Sequence, residues 1–457
     1  TRISNGGQLV VNGQIYFGGD KTDGSGKLIV ESGGVLELGD TVSNAQTLSA
    51  LRDEEGVGGQ SDFVLSGGIV KLINSGLTTA MSMHLDGGVQ STVDTNAKTA
   101  LLSGVLSGDG GLTKAGDGTL TLSGINTYTG ATDILSGTLK LSGSGTIDPT
   151  AGVHNNGQLD IADVSAPSVA IRSMDGDGGV TLGNTTLNLT DGNTTFGNVY
   201  SGVIAGNGGL TVSGGTTILT GQNTYTGGTD VQAGTLQVDG GLLSQVSVRD
   251  GAVLAGQGVV GGASIYSGGS LLPGSAAAGG LLQVTGNLDM VSGSTLLANS
   301  LSSTHELVRV GGVATLSGGI VQIAGSQSLQ EGEQYTVLSA ANGVVGHYDA
   351  ARFDQLGDYP FLTPTLSYTP NTVNLQFLRN TLPFSALAQT RNQLAAGYGL
   401  QSVAGASSVV RAVVQLGGVG AVPAALGALS GEIHASARTV LLPVSYTPLP
   451  LPTQRVV

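Results

Sequence analysis

The chain has 457 residues, of which 78 are glycine, none is cysteine or tryptophan, and only 4% are aromatic. Its 17 basic residues against 31 acidic ones give a net charge of −14 with no basic cluster, which excludes a phosphate-neutralising nucleic-acid face. Without thiols there is neither a disulfide framework nor a thiolate metal site, and 39% hydrophobic against 11% charged residues excludes a disordered chain.

From the N-terminus a pattern Gly-x-aliphatic-x-aliphatic recurs. It stands at Gly7–Val11 (GQLVV), Gly26–Val30 (GKLIV), Gly34–Leu38 (GVLEL) and Gly68–Leu72 (GIVKL), and again at Gly137–Leu141 (GTLKL), Gly157–Ile161 (GQLDI), Gly234–Val238 (GTLQV) and Gly319–Ile323 (GIVQI). Period-two alternation predicts strands with one buried face, and the Gly, Asn, Asp and Ser clusters between them predict tight turns. Helical periodicity is missing from residues 1–380. Strands recurring at intervals of roughly 17–21 residues cannot bury their apolar faces alone and must stack. The fold class is therefore all-β: a right-handed parallel β-helix solenoid, its hand following the general bias of parallel crossovers, with a short α-helical linker at the C-terminal end. The rival, a β-propeller, needs four antiparallel strands per roughly 40–50 residues and usually aromatic signatures.

Two stretches repeat one another. Gly116–Gly143 reads GDGTLTLSGINTYTGATDILSGTLKLSG, and Gly214–Gly240 reads GGTTILTGQNTYTGGTDVQAGTLQVDG. Leu122 aligns with Leu219, Asn126 with Asn223, Tyr128 with Tyr225, Ile134 with Val231 and Leu139 with Leu236; upstream, Ser103–Gly111 (SGVLSGDGG) matches Ser201–Gly209 (SGVIAGNGG). In the first copy Leu120, Leu122, Ile134, Leu139 and Leu141 are expected to point inward. Tyr128 and Tyr225 read as buried or corner-packing residues rather than as an exposed platform for sugars.

After Arg379 the texture changes. Thr381–Tyr398 (TLPFSALAQTRNQLAAGY) spaces Phe384, Leu387, Leu394 and Tyr398 on one helical face. A second helix is expected to open at Pro423, with Leu426, Leu429, Ile433, Ala437 and Val440 as its stripe. Ala412–Gly431 is uncharged and about long enough to span a bilayer, but Gly417, Gly418, Gly420 and Pro423 interrupt it, so it reads as something other than a lipid-spanning helix. Pro443–Val457 (PVSYTPLPLPTQRVV) carries four prolines and no partner strand, and reads as a non-native tail standing where a further domain is cut off.

No catalytic constellation stands out. Glycan enzymes on β-helices use paired carboxylates on one face; here the densest acidic group, Asp53, Glu54 and Glu55, reads as a solvated loop. No Gly-x-Ser-x-Gly elbow exists, and no serine stands beside a histidine and an acid in a recognisable order. His84, His154, His305, His347 and His434 include no His-x-x-x-His pair for zinc. DGDGG at Asp175–Gly179 reads as a corner turn, since it lacks the repeated calcium pattern. Lys27 follows Gly24-Ser-Gly26 without the upstream glycine of a phosphate loop, and there is no Arg-Gly-Asp. No catalytic, cofactor-binding or metal residue is assigned, and no cofactor is expected.

Gly110–Gly143 (GGLTKAGDGTLTLSGINTYTGATDILSGTLKLSG) closely resembles the passenger-associated repeat of bacterial autotransporters, the type V secreted proteins. The second copy, Gly208–Gly240, departs by one deletion: Lys114–Gly118 (KAGDG) is answered by Val212–Gly215 (VSGG). Glu306–Gln322 with Gln334–Leu338 and Leu362–Leu366 resembles the family's C-terminal coils that act as a folding template. Phe384–Gln393 resembles the segment that follows, and Leu429–Leu442 (LSGEIHASARTVLL) the linker helix threading the translocating barrel.

The resemblance implies a β-helix passenger over 1–300, with repeat units near 103–143 and 201–240. Autochaperone-like coils would follow over 301–380, a helical linker toward a missing translocator barrel over 381–442, and the tail over 443–457. It further implies a structural stalk or adhesin at the Gram-negative outer membrane, cell surface or outside the cell, whose repeats support folding-driven secretion. Its partners would be its own C-terminal β-barrel and a host-cell or glycan surface. The alternative is a secreted glycan-active β-helix enzyme, a lyase or hydrolase.

Overall fold

A computed structural model of the chain describes residues 1–4, 6–11, 15–17, 27–39, 51–53, 62–191, 198–275, 279–299, 301, 306–324, 329–355, 357–403 and 407–431, with 15–17 and 51–53 as backbone alone. Two units emerge. The first comprises Thr1–Gln322, Tyr335–Ala350 and Ser367–Asn374; the second comprises Ile323–Gln334, Ala351–Leu366 and Leu375–Val457.

In the first unit, alternation becomes short strands that pair in parallel with the strand one turn away. Leu120 stands opposite Leu139, Leu139 opposite Leu159, Leu159 opposite Val180 and Val180 opposite Ile204. All five are buried. A second inward row runs Leu36, Val70, Val93, Lys114, Ile134, Asn155, and a third runs Leu187, Leu210, Thr229, Val246, Ala263, Leu288, Ala314. These rows form one interior, because side chains alternate across each strand and only one face can be turned from water. The unit is a parallel β-solenoid, and parallel pairing rules out propeller blades. Leu120, Leu122, Ile134, Leu139 and Leu141 all lie in the interior, as the alternation requires. Each fully buried Leu or Ile contributes about 1.5–3 kcal/mol relative to exposure, enough for a core without tryptophan when every turn supplies several.

The two repeat copies have the same local form but occupy different faces. In the first copy Thr119–Leu122 lies in a seven-stranded sheet that also holds Thr99–Leu102, Thr138–Gly143, Gln158–Val164, Gly179–Thr181 and Ile204–Ala205. Ile204–Ala205 belongs to the second copy, where it aligns with Leu106–Gly108 and not with Thr119–Leu122. The segments between the copies do not complete a whole number of turns, so the second copy is set round by one face.

In the second unit a 3-10 turn, Phe384–Leu387, precedes helices Arg391–Ser402, Ser408–Val414 and Ala421–Ser430. The single amphipathic helix expected across Thr381–Tyr398 is not formed. The first helix begins at Arg391, where the Thr390 side chain accepts from the Gln393 N–H and the Gln393 side chain returns a bond to the cap. That start sets a new phase: Gln393, Gly397 and Leu400 face inward, while Leu394 and Tyr398 are exposed. The helix expected from Pro423 starts at Ala421, keeping the proline in the first turn, and ends at Gly431 in the left-handed conformation. It buries Leu426 and leaves Leu429 exposed; Ile433, Ala437 and Val440 lie outside the described residues. Ala412–Gly431 is divided between two helices, and among the described residues no helix is long and apolar enough to cross a membrane.

Candidate functional site

The sequence kept between the copies, Asn-Thr-Tyr-Thr-Gly, forms a corner, entered in the second copy from the short strand Gln222–Asn223. At this corner the N–H groups of Thr127 and Tyr128 donate to the Leu106 carbonyl at 2.8 and 3.2 Å, on the preceding turn. The Leu106 N–H in turn donates to Asn126 Oδ1 at 2.8 Å, and Asn126 Nδ2 donates to the Thr146 carbonyl at 3.0 Å, on the following turn. The second copy repeats the arrangement. The Ile204 N–H donates to Asn223 Oδ1 at 3.0 Å, and Asn223 Nδ2 donates to the carbonyls of Gly221 and Gly241, each at 3.2 Å. Both asparagines are buried, and each side-chain amide is satisfied by backbone groups of the neighbouring turns.

The tyrosines are interior. Tyr128 Oη and Thr132 Oγ1 share a hydrogen bond of 2.7 Å, and Tyr225 Oη and Thr229 Oγ1 one of 2.6 Å. Burial raises both phenols, Tyr225 to about 12 and Tyr128 further. The closing glycine is dictated by close approach of backbones: a Cβ on Gly130 would lie 2.4 Å from the Gly110 carbonyl carbon, and one on Gly227 would lie 2.5 Å from that of Gly208.

Lys114 departs from what its residue type suggests. It occupies an inward position and is fully buried, with Nζ donating to the carbonyls of Ala115 (3.0 Å), Gly116 (2.6 Å) and Ser136 (2.9 Å). The signal in the sequence was its alignment with Val212, itself buried. Desolvation lowers its pKa from 10.5 to about 8, partly opposed by Asp94 and Asp117. A cation depressed in the folded state loses its proton there before it does in the unfolded chain. The charged form thus costs stability below pH 8, and stability recovers as pH rises from about 8 to 10.5. Denaturant titrations across that window should show this rise in the natural chain and a flatter profile in Lys114→Met. Identical slopes would show that the ammonium is not strained by burial.

The outer surface carries polar side chains in small groups. His154 Nδ1 lies 2.7 Å from Asp175 Oδ1, and Asn156 Nδ2 lies 2.7 Å from His154 Nε2. An imidazole that donates to Asp175 and accepts from Asn156 has neither nitrogen free for a substrate. Beside it, burial raises the Asp133 carboxyl, with Gln90 Nε2 donating to it at 2.9 Å. Residues 176–178 make a corner between strands Met174–Asp175 and Gly179–Thr181, and the Asp175 carboxylate is already engaged by His154. His84 Nδ1 stands 3.4 Å from Ser107 Oγ, and its Nε2 is 4.0 Å from Asp86 Oδ1. This Ser–His–Asp grouping is invisible in the linear order because its members come from adjacent turns; its contacts are long and half-exposed. His347 meets the Tyr368 ring edge-on at 6.0 Å. Lys27 pairs across the surface with Asp62 at 3.7 Å. His305, His434, Glu54 and Glu55 lie outside the described residues, as does the side chain of Asp53. Among the described residues no group of three or more His, Asp or Glu could hold a metal ion.

Comparison recognises both repeat copies. The Passenger-associated-transport-repeat family matches residues 112–141 and 213–238, one match in each copy. A relative from Brucella suis biovar 1 (strain 1330), the Adhesin BmaC autotransporter, is 30% identical over 317 residues, 68% of this chain and 9% of that protein. The chain carries an autotransporter passenger domain. A further relative of this passenger, the Extracellular serine protease of Serratia marcescens, is 31% identical over 215 residues, 45% of this chain and 20% of that protein. The chain thus spans 9% and 20% of the length of these two relatives. It is a surface-exposed or secreted passenger, placed at the outer-membrane surface or outside the cell.

Proposed function

We propose that the passenger is a non-enzymatic stalk with adhesive function, and that its substrate-like partner is a host-cell or glycan surface. One observation carries the reading: the relative matched over 68% of this chain is named an adhesin. The polar chemistry of the solenoid agrees, since Lys114, Asn126, Asn223, Tyr128 and Tyr225 are all turned inward and spent on holding turns together. In the same reading residues 1–300 form the passenger and 301–380 the template on which it folds. Residues 381–442 lead toward the protein's own translocator barrel, and stacking of the repeats biases export.

A second reading has its own support. One relative is named a serine protease, and Ser107 stands 3.4 Å from His84, which in turn lies 4.0 Å from Asp86. Two assays on the purified chain separate them. The stalk reading expects saturable binding to host cells or to a glycan array, no turnover of polysaccharide, and no labelling by a fluorophosphonate probe. Labelling that disappears in Ser107→Ala, or polysaccharide cleavage abolished by a single carboxylate substitution, would overturn it.

A further inference from the structure

A solenoid is ordinarily coupled only between adjacent turns, so that its stability is a sum of turns and of the interfaces between neighbours. At the repeat corner one buried side chain is bonded to both neighbouring turns at once. Asn126 takes the N–H of Leu106 on the turn before and gives its own N–H to the carbonyl of Thr146 on the turn after. Asn223 joins Ile204 and Gly241 in the same way. Both asparagines are buried, so the bond on one side holds the amide in place for the bond on the other; at Asn223 the donor arm is shared with the Gly221 carbonyl of its own turn. The arrangement appears in two copies set one face apart, so it belongs to the motif and not to one side of the solenoid.

We infer that Asn126 and Asn223 are staples across three turns, making the folding of the turn before each corner conditional on the turn after it. The repeat then serves to extend cooperativity along a solenoid that would otherwise open turn by turn, whatever the passenger touches. Tyr128 and Tyr225, fixed to Thr132 and Thr229, seat the corner so that the amide faces both neighbours.

Hydrogen exchange read by mass spectrometry on the full chain, in increasing denaturant, tests this. In the natural chain, peptides containing Leu106–Gly108 and those containing Val153–Asn155 should open with one shared free energy. In Asn126→Ala the peptide around Leu106 should exchange about tenfold faster or more, as befits a lost buried hydrogen bond, and its opening should separate from that of Val153–Asn155. Asn223→Ala should separate Ile204–Ala205 from the strand Gly241–Val248, and serves alone if the first variant does not fold. Leu122→Ala is the control, removing packing at the same corner without touching the amide; it should weaken both sides together. The inference is overturned if an asparagine variant leaves the two sides opening as one, or if Leu122→Ala separates them equally well.

Discussion

Leu139→Asp should open the solenoid around the first repeat to protease, while an outward substitution on the neighbouring turn leaves the digestion pattern unchanged. Leu139 is fully buried between Leu120 below and Leu159 above. An aspartate there would stand between two leucines of the ladder. Burying an unpaired carboxylate is among the few substitutions that cost more than about 4 kcal/mol, and the loss of a packed leucine adds about 2–5 kcal/mol for the cavity. Because coupling along a solenoid is short-ranged, the damage should be concentrated in the turns around residue 139, with new cleavage sites there. Thr121→Asp is the matched control. Thr121 stands opposite Lys140 on the outer side of the same strand pair, and the new carboxylate would be solvated. Equal sensitivity in both variants would contradict an interior made by strict alternation.

Arg379→Ala should have the next largest effect, in the second unit. Its guanidinium lies between two rings, 4.5 Å from the Phe384 centroid and 4.9 Å from that of Phe361. It donates to the carbonyls of Asn380 and Leu382 and to Asn380 Oδ1. Burial between the rings holds its pKa below the ordinary arginine value. Cation–π contacts contribute about 0.5–2 kcal/mol each, and hydrogen bonds to a charged group about 1.5–3 kcal/mol. Truncation should therefore cost on the order of 3 kcal/mol, seen as faster hydrogen exchange over Leu362–Tyr368 and Arg391–Ser402. Arg379→Lys keeps the charge but loses the planar fork and the stacking, and should recover less than half of the loss. Full recovery with lysine would show that charge alone matters.

The solenoid was readable because its code is local. Gly-x-aliphatic-x-aliphatic names the strand, the buried face and the corner in five residues, and Leu120, Leu122, Leu139 and Leu141 follow it without exception. Features that depend on stacking were out of reach. Lys114 looks like an outward residue by type, its alignment with Val212 aside, until the carbonyls of Ala115, Gly116 and Ser136 are brought round it. Ser107 and His84 meet only because one turn happens to separate them. The face taken by the second copy depends on every segment between the copies. The helices were half readable for a different reason. Their presence after Arg379 follows from composition, but the Thr390 cap decides where the first one starts, and so which face Leu394 and Tyr398 take. Asn126 was visible as a repeated letter; its two bonds were not.

Cross-linking of engineered cysteines tests the parallel, turn-on-turn register most directly, since the chain has no cysteine of its own. Thr119 stands opposite Thr138, and Thr138 opposite Gln158. Adjacent parallel strands lie about 4.8 Å apart, within the ~4.4–6.8 Å span of Cα atoms that a disulfide accepts. Two turns put them about 10 Å apart, beyond it. The pair Thr119→Cys with Thr138→Cys should therefore close under mild oxidation, and Thr119→Cys with Gln158→Cys should stay reduced. Closure of the second pair in preference to the first would contradict the stacking on which the rest depends.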